Sequence, residues 1–86
     1  MINVSLANPE LYNKIRVIGN KNRFKILELT QAKEKSITEL GKEINLAYTK
    51  CADYVRMLEK EKLVKKTRKG REILVKSRVM LKNIQM

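Results

Sequence analysis

The chain has 86 residues, with 20 Lys and Arg against 9 Asp and Glu and no His, for a formal charge of +11. A chain of this length holds one hydrophobic core and buries about 60 to 65 percent of its unfolded surface, so a single domain spanning 1–86 of modest stability is expected unless subunits pair. One Cys excludes an intrachain disulfide, and the lack of His beside it argues against a tetrahedral nitrogen and sulfur centre, so no metal and no cofactor is expected.

No apolar run approaches the roughly 18 residues of a membrane span, and no charged segment leads into an apolar stretch with a small-residue cleavage site. A soluble, cytoplasmic protein is expected, in keeping with a lone thiol in a reducing compartment. The positive charge favours a polyanionic partner through counterion release and long-range steering, nucleic acid before an anionic membrane surface. Residues 1–34 carry six Lys and Arg against three acids, 35–62 six against five, and 63–86 eight against one. The near-neutral middle is therefore read as structural and selective, and the last third as the source of attraction. Leu63, Val64, Ile73, Leu74 and Val75 favour ordered structure there over a disordered basic tail.

Asn8-Pro9-Glu10 marks a helix start: an N-cap, a proline at the first helical position and an acid where the helix dipole favours it. Leu11, Ile15 and Ile18 then share one face, and Gly19 supplies the stop, giving a first helix over 9–18. A second helix is expected after Asn20-Lys21-Asn22, running to about Ala32, with Phe24, Ile26, Leu27, Leu29 and Thr30 as a wide apolar stripe. Lys33-Glu34-Lys35 reads as a solvated loop.

Ser36-Ile37-Thr38-Glu39 fits a capping box and opens a third helix, with Ile37, Leu40 and Ile44 in one apolar row. Asn45, tolerant of the left-handed conformation, ends it, and Leu46 follows as an apolar plug. The next helical pattern begins so soon that the two helices must cross steeply, which predicts a helix-turn-helix over 36–61 with Gly41 at the close approach.

The fourth helix, about 47–61, has two faces. At about 100° per residue, Val55, Leu58, Tyr54, Ala47 and Tyr48 lie within roughly 60° of Cys51. Cys51 is thus read as a small core hydrophobe rather than a redox switch, which needs an exposed thiolate of low pKa. Thr49, Asp53, Arg56 and Lys60 gather opposite, with Lys50 and Met57 at one edge.

Arg56 and Lys50 suit guanine or phosphate, and Thr49 a phosphate or a thymine methyl. Asp53 cannot bind phosphate; it either accepts from cytosine N4 or orients Arg56. Tyr48, Thr49, Lys50, Asp53, Arg56 and Lys60 are the candidate DNA-reading residues. Leu63–Arg68 and Arg71–Ser77 read as two strands joined at Lys69-Gly70, whose Lys65, Lys66, Arg68, Lys69 and Arg71 are candidate phosphate or minor-groove contacts. The hairpin lacks the interleaved aromatics that stack on single strands. Val79, Met80, Leu81, Ile84 and Met86 leave apolar side chains exposed at the end of the chain unless a partner covers them.

These residues resemble the winged-helix repressors of the ArsR and MarR type over about residues 10–77. "NKNRFKILEL", Asn20 to Leu29, is similar to the family's helix opening in which an Arg precedes an apolar pair, here Arg23, Ile26 and Leu27. "SITELGKEINL", Ser36 to Leu46, resembles the first helix of the helix-turn-helix, and "YTKCADYVRMLEKEKLV", Tyr48 to Val64, the recognition helix running into the first wing strand.

The resemblance implies a mainly α fold with a small β-hairpin wing, a winged helix-turn-helix. It also implies a homodimer on double-stranded DNA with two recognition helices about one turn apart, residues 78–86 and the Leu11, Ile15 and Ile18 face being the candidate dimerisation surfaces, and a repressor's role. Arg23, Ser36 and Thr38 are carried as candidate backbone contacts. Ala47 stands where such families often have a capping Ser or Thr, and the metal-binding Cys and His motifs are missing, so no metal sensing is implied. A non-specific chromatin-type DNA binder and a protein-interaction module are the alternatives. No Gly-rich phosphate loop or carboxylate pair in an apolar pocket supports an enzyme.

Overall fold

Four polar side chains set the helix boundaries. The computed structural model describes residues 8–81, as α1 (Pro9–Ile18), α2 (Lys21–Leu29), β1 (Lys35–Ser36), α3 (Ile37–Ile44), α4 (Tyr48–Lys60), β2 (Val64–Lys69) and β3 (Glu72–Ser77). The Asn8 side chain accepts from the Leu11 N–H at 3.0 Å, capping α1. Asn20 accepts from Asn22 and Arg23 at 2.9 and 3.0 Å, so α2 starts at Lys21, earlier than expected. Ser36 accepts from the Glu39 N–H while the Glu39 carboxylate accepts from the Ser36 N–H, both at 3.0 Å, completing the capping box. Asn45 closes α3 at φ 65°, ψ 50°.

α2 ends at Leu29 rather than near Ala32. The buried Thr30 hydroxyl donates to the Ile26 carbonyl at 2.8 Å and the Thr30 carbonyl accepts from the Ser77 N–H at 3.1 Å, while the Gln31 N–H turns to the Glu28 carbonyl at 3.3 Å and leaves the Leu27 carbonyl, which a longer helix would bond to it, to the Gln31 side chain. Gln31 extends this junction. Its Nε2 lies within 3.1 Å of the Leu27 carbonyl, the Ser77 hydroxyl and the Val79 carbonyl, and its Oε1 accepts from the Leu81 N–H at 2.8 Å. Val79 and Leu81 are thereby held half-buried, while Met80 between them is exposed. β3 stops at Ser77 and residues 78–81 continue neither as strand nor as helix; 82–86 of the expected dimerisation segment lie outside the described residues.

The expected hairpin gains a third strand. The sheet runs β1-β3-β2, all antiparallel, with Lys35 opposite Val75 and Ser36 opposite Leu74. β2 and β3 pair from Val64 with Ser77 to Lys69 with Glu72, which moves the two-residue turn to Gly70-Arg71, one position past the expected Lys69-Gly70. Gly70 sits at φ 61°, the positive value that a type II′ turn needs at its first central residue.

One core joins the helices to the sheet. Ile26, Leu27, Leu40, Val55, Leu58 and Val75 are fully buried, and each contributes about 1.5–3 kcal/mol relative to exposure. Phe24, expected in the α2 stripe, is instead 37% exposed, because α2 is covered on only one side. Lys62, at φ 61°, turns the chain from α4 into β2, and the Leu63 N–H returns to the Leu58 carbonyl at 2.9 Å. Glu59 on α4 then pairs with Lys66 on β2 at 3.2 Å, tethering the hairpin to the helix before it.

Candidate nucleic-acid interface

The α3–α4 junction is tight for a local reason. The Asn45 and Leu46 N–H groups both donate to the Gly41 carbonyl, Leu46 at 2.8 Å, and a β-carbon on Gly41 would stand 2.9 Å from the Leu46 carbonyl oxygen. Ala47 precedes α4 in an extended conformation without a side-chain cap, leaving α4 to begin at Tyr48, within the expected range.

Helical phasing divides α4 as expected in its body. Cys51, Val55 and Leu58 are fully buried, whereas Thr49, Lys50, Asp53, Arg56 and Lys60 are exposed. Ala47 and Tyr48, predicted for the apolar side, are exposed because the first turn projects past its neighbours; Tyr48 is 50% exposed. Burial raises the Cys51 thiol pKa, so the thiol stays protonated at neutral pH.

Three cations of this region have partners. The Arg56 Nη1 donates to Asp53 Oδ1 at 2.9 Å, with both side chains more than half exposed. Lys50 Nζ lies 5.0 Å from the Tyr54 ring centroid, and the Arg23 guanidinium carbon lies 5.1 Å from the same centroid. Arg23 Nε also donates to the Val17 carbonyl at 2.6 Å and its Nη1 to Met57 Sδ at 3.5 Å, so this guanidinium braces α1 against α4.

The expected backbone-contacting residues separate. Thr38 is exposed, Arg23 is half-buried in its brace, and Ser36 is 2% exposed with its hydroxyl committed to the α3 cap. Thr38 and Tyr48 line a cleft of about 310 Å³ together with Lys42 and Asn45. Sequence reasoning passed over Lys42, although its place four residues after Thr38 puts both on one helix row.

On the hairpin, Lys65, Arg68, Lys69 and Arg71 are exposed and Lys66 is half-buried against Glu59. Strand alternation sends Lys65 and Lys69 to one face and Lys66 and Arg68 to the other, so the cations surround the hairpin instead of forming one stripe. Among the described residues no three His, Cys, Asp or Glu side chains gather as a metal site, and no helix is long and apolar enough to cross a membrane.

Among the described residues, four helices, two of them joined by a tight turn at a left-handed Asn, and an antiparallel hairpin after them define a winged helix-turn-helix. Residues 22–86 match the winged helix-turn-helix family, and the chain belongs to it. Reduced HlyU from Vibrio cholerae N16961 is similar in structure, with a TM-score of 0.78 and 16% identity over 90% of this chain and 81% of that one. A homodimeric winged helix-turn-helix DNA-binding domain, Mb0332 from Mycobacterium bovis, gives 0.77 and 17% over 90% and 72%. NolR from Sinorhizobium fredii gives 0.76 and 18% over 83% and 71%. At these identities the likeness is one of fold. No curated protein matches the sequence.

Proposed function

We infer that the chain is a transcriptional regulator, a repressor, that binds duplex DNA as a homodimer through α4 in the major groove and the hairpin wing on adjacent phosphates or in the minor groove. The observation that carries this reading is the uncovered face of α4, where Thr49, Lys50, Asp53, Arg56 and Lys60 stand exposed directly after the tight turn. Tyr48, Thr38 and Lys42 flank that face as backbone contacts, and the wing cations Lys65, Arg68, Lys69 and Arg71 supply attraction without sequence information. A cytoplasmic location is part of this reading, in keeping with work on DNA.

Dimerisation is supported by α1, where Tyr12 and Ile15 are 52% and 58% exposed beside half-buried Leu11 and Ile18, and by the 79% exposure of Met80. The Mb0332 domain is itself described as homodimeric. Selection of bound duplexes from a random pool at physiological salt tests the reading. A palindromic consensus with half-site centres about 34–36 Å apart is expected. If the dimer neutralises about eight phosphates, the log-log salt slope is about −7. Repression is tested by placing the selected site across a reporter promoter.

A non-specific DNA binder is the second reading, favoured by the +11 charge and the cations all round the wing. Competition by excess random duplex distinguishes it: specific complexes survive and non-specific ones do not.

A further inference from the structure

The outer face of α4 carries an acid in a protein whose partner is expected to be a polyanion. An aspartate facing DNA is repelled by every phosphate, so its place on that face calls for a use. α4 contains two acids, Asp53 and Glu59, and each holds a different cation. Glu59 holds Lys66 and so ties the wing to the helix; Asp53 holds Arg56 at 2.9 Å.

The Arg56–Asp53 contact selects one edge of the guanidinium. Asp53 Oδ1 takes a hydrogen from Nη1, and among the described residues Arg56 makes no other hydrogen bond. The neighbouring edge, Nε–H with Nη2–H, is left free, two parallel donors in the spacing that matches the O6 and N7 acceptors of guanine. An unrestrained arginine has many rotamers and meets a phosphate as readily as a base. A carboxylate three residues earlier on the helix biases the group toward one orientation, and its negative charge disfavours a phosphate in the same place.

We propose that Asp53 and Arg56 act as one base-reading element, in which Asp53 is the positioning residue that turns the free guanidinium edge of Arg56 onto a guanine in the major groove. The inference rests on the DNA-binding reading above and adds to it a required G·C pair in each half-site.

Both side chains are exposed, so substitutions there leave the core untouched. Duplex selection with the full chain, Arg56→Ala, Asp53→Ala and Asp53→Glu, with melting curves confirming that each is folded, decides the matter. The expected result is a guanine at one position per half-site. Its preference falls by about tenfold or more in both Ala variants, the discrimination of a good bidentate pair, and is partly restored in Asp53→Glu. Affinity of Asp53→Ala for random duplex rises, because a negative charge has left the face. A merely structural ion pair does not move a single base preference.

If Arg56→Ala relaxes the guanine while Asp53→Ala keeps it, the inference is overturned and the DNA-binding reading stands. The same holds if Asp53→Ala relaxes a cytosine at a different position, for then Asp53 reads a base on its own. No enrichment by the unaltered chain overturns specific recognition and this inference with it.

Discussion

Gly41 and Leu46 meet backbone to backbone: the Leu46 N–H donates to the Gly41 carbonyl at 2.8 Å, and a β-carbon at Gly41 would lie 2.9 Å from the Leu46 carbonyl oxygen. The obstacle is main chain at a buried position, so it cannot swing aside as a flexible side chain would. Gly41→Ala is therefore expected to destabilise the fold by about 1–3 kcal/mol, despite the better helix propensity of Ala. Urea unfolding with an unchanged m-value measures the loss.

Ala47 offers the reverse case. It already has the extended conformation of an N-cap at φ −62°, ψ 150°, but no side-chain acceptor for the first N–H groups of α4. Ala47→Ser is expected to stabilise the protein by about 1 kcal/mol and raise its Tm by several degrees, read by thermal unfolding.

Glu39 makes stability depend on pH. The Ser36 N–H bonded to its carboxylate holds its pKa below the ordinary 4.5. A depressed folded pKa means that the unfolded chain binds the proton more readily, so the contribution is present above the ordinary value and is lost as pH falls through the folded one. Glu39→Gln keeps an acceptor but does not titrate. The unaltered protein should lose more stability than this variant on acidification, as a Tm series across the acid range would record.

Cys51 should be inert while the chain is folded. It is fully buried on α4, and burial raises its thiol pKa. A thiol reagent in excess is expected to label it at the rate of unfolding in native buffer and at once in denaturant. Fast native labelling would mean that α4 opens far more readily than its packing implies.

Much of this fold is written in local chemistry. Asn8, Ser36 with Glu39, and Asn45 each satisfy a helix end within four residues of themselves, which is why those boundaries could be read directly; Asn20 caps α2 in the same way, two residues before the start that the sequence suggests. The outer face of α4 was legible for the same reason, since helical period alone separates Cys51 and Val55 from Asp53 and Arg56.

What escaped depends on partners far along the chain. β1 is two residues long, too short for any period, and exists because Ser36 and Lys35 meet Leu74 and Val75. α2 ends earlier than its apolar stripe suggests because the Gln31 side chain, held by Ser77 and Val79, occupies the Leu27 carbonyl. The brace of Arg23 on Val17, Tyr54 and Met57 joins two helices that no local pattern connects, and it withdrew a residue expected at the surface. The turn slipped by one position because either placement gives Gly70 a useful conformation, and only the pairing of Val64 with Ser77 chooses between them.

Ser36 belongs to two structures at once. It is the last residue of β1, paired with Leu74 on the central strand of the wing, and it is the cap that starts α3. The sheet and the helix pair therefore meet in one buried residue, paired with Leu74 on one side and bonded to Glu39 on the other. One small side chain thus serves as cap and as strand end, so a substitution there disturbs the start of α3 and the edge of the sheet together.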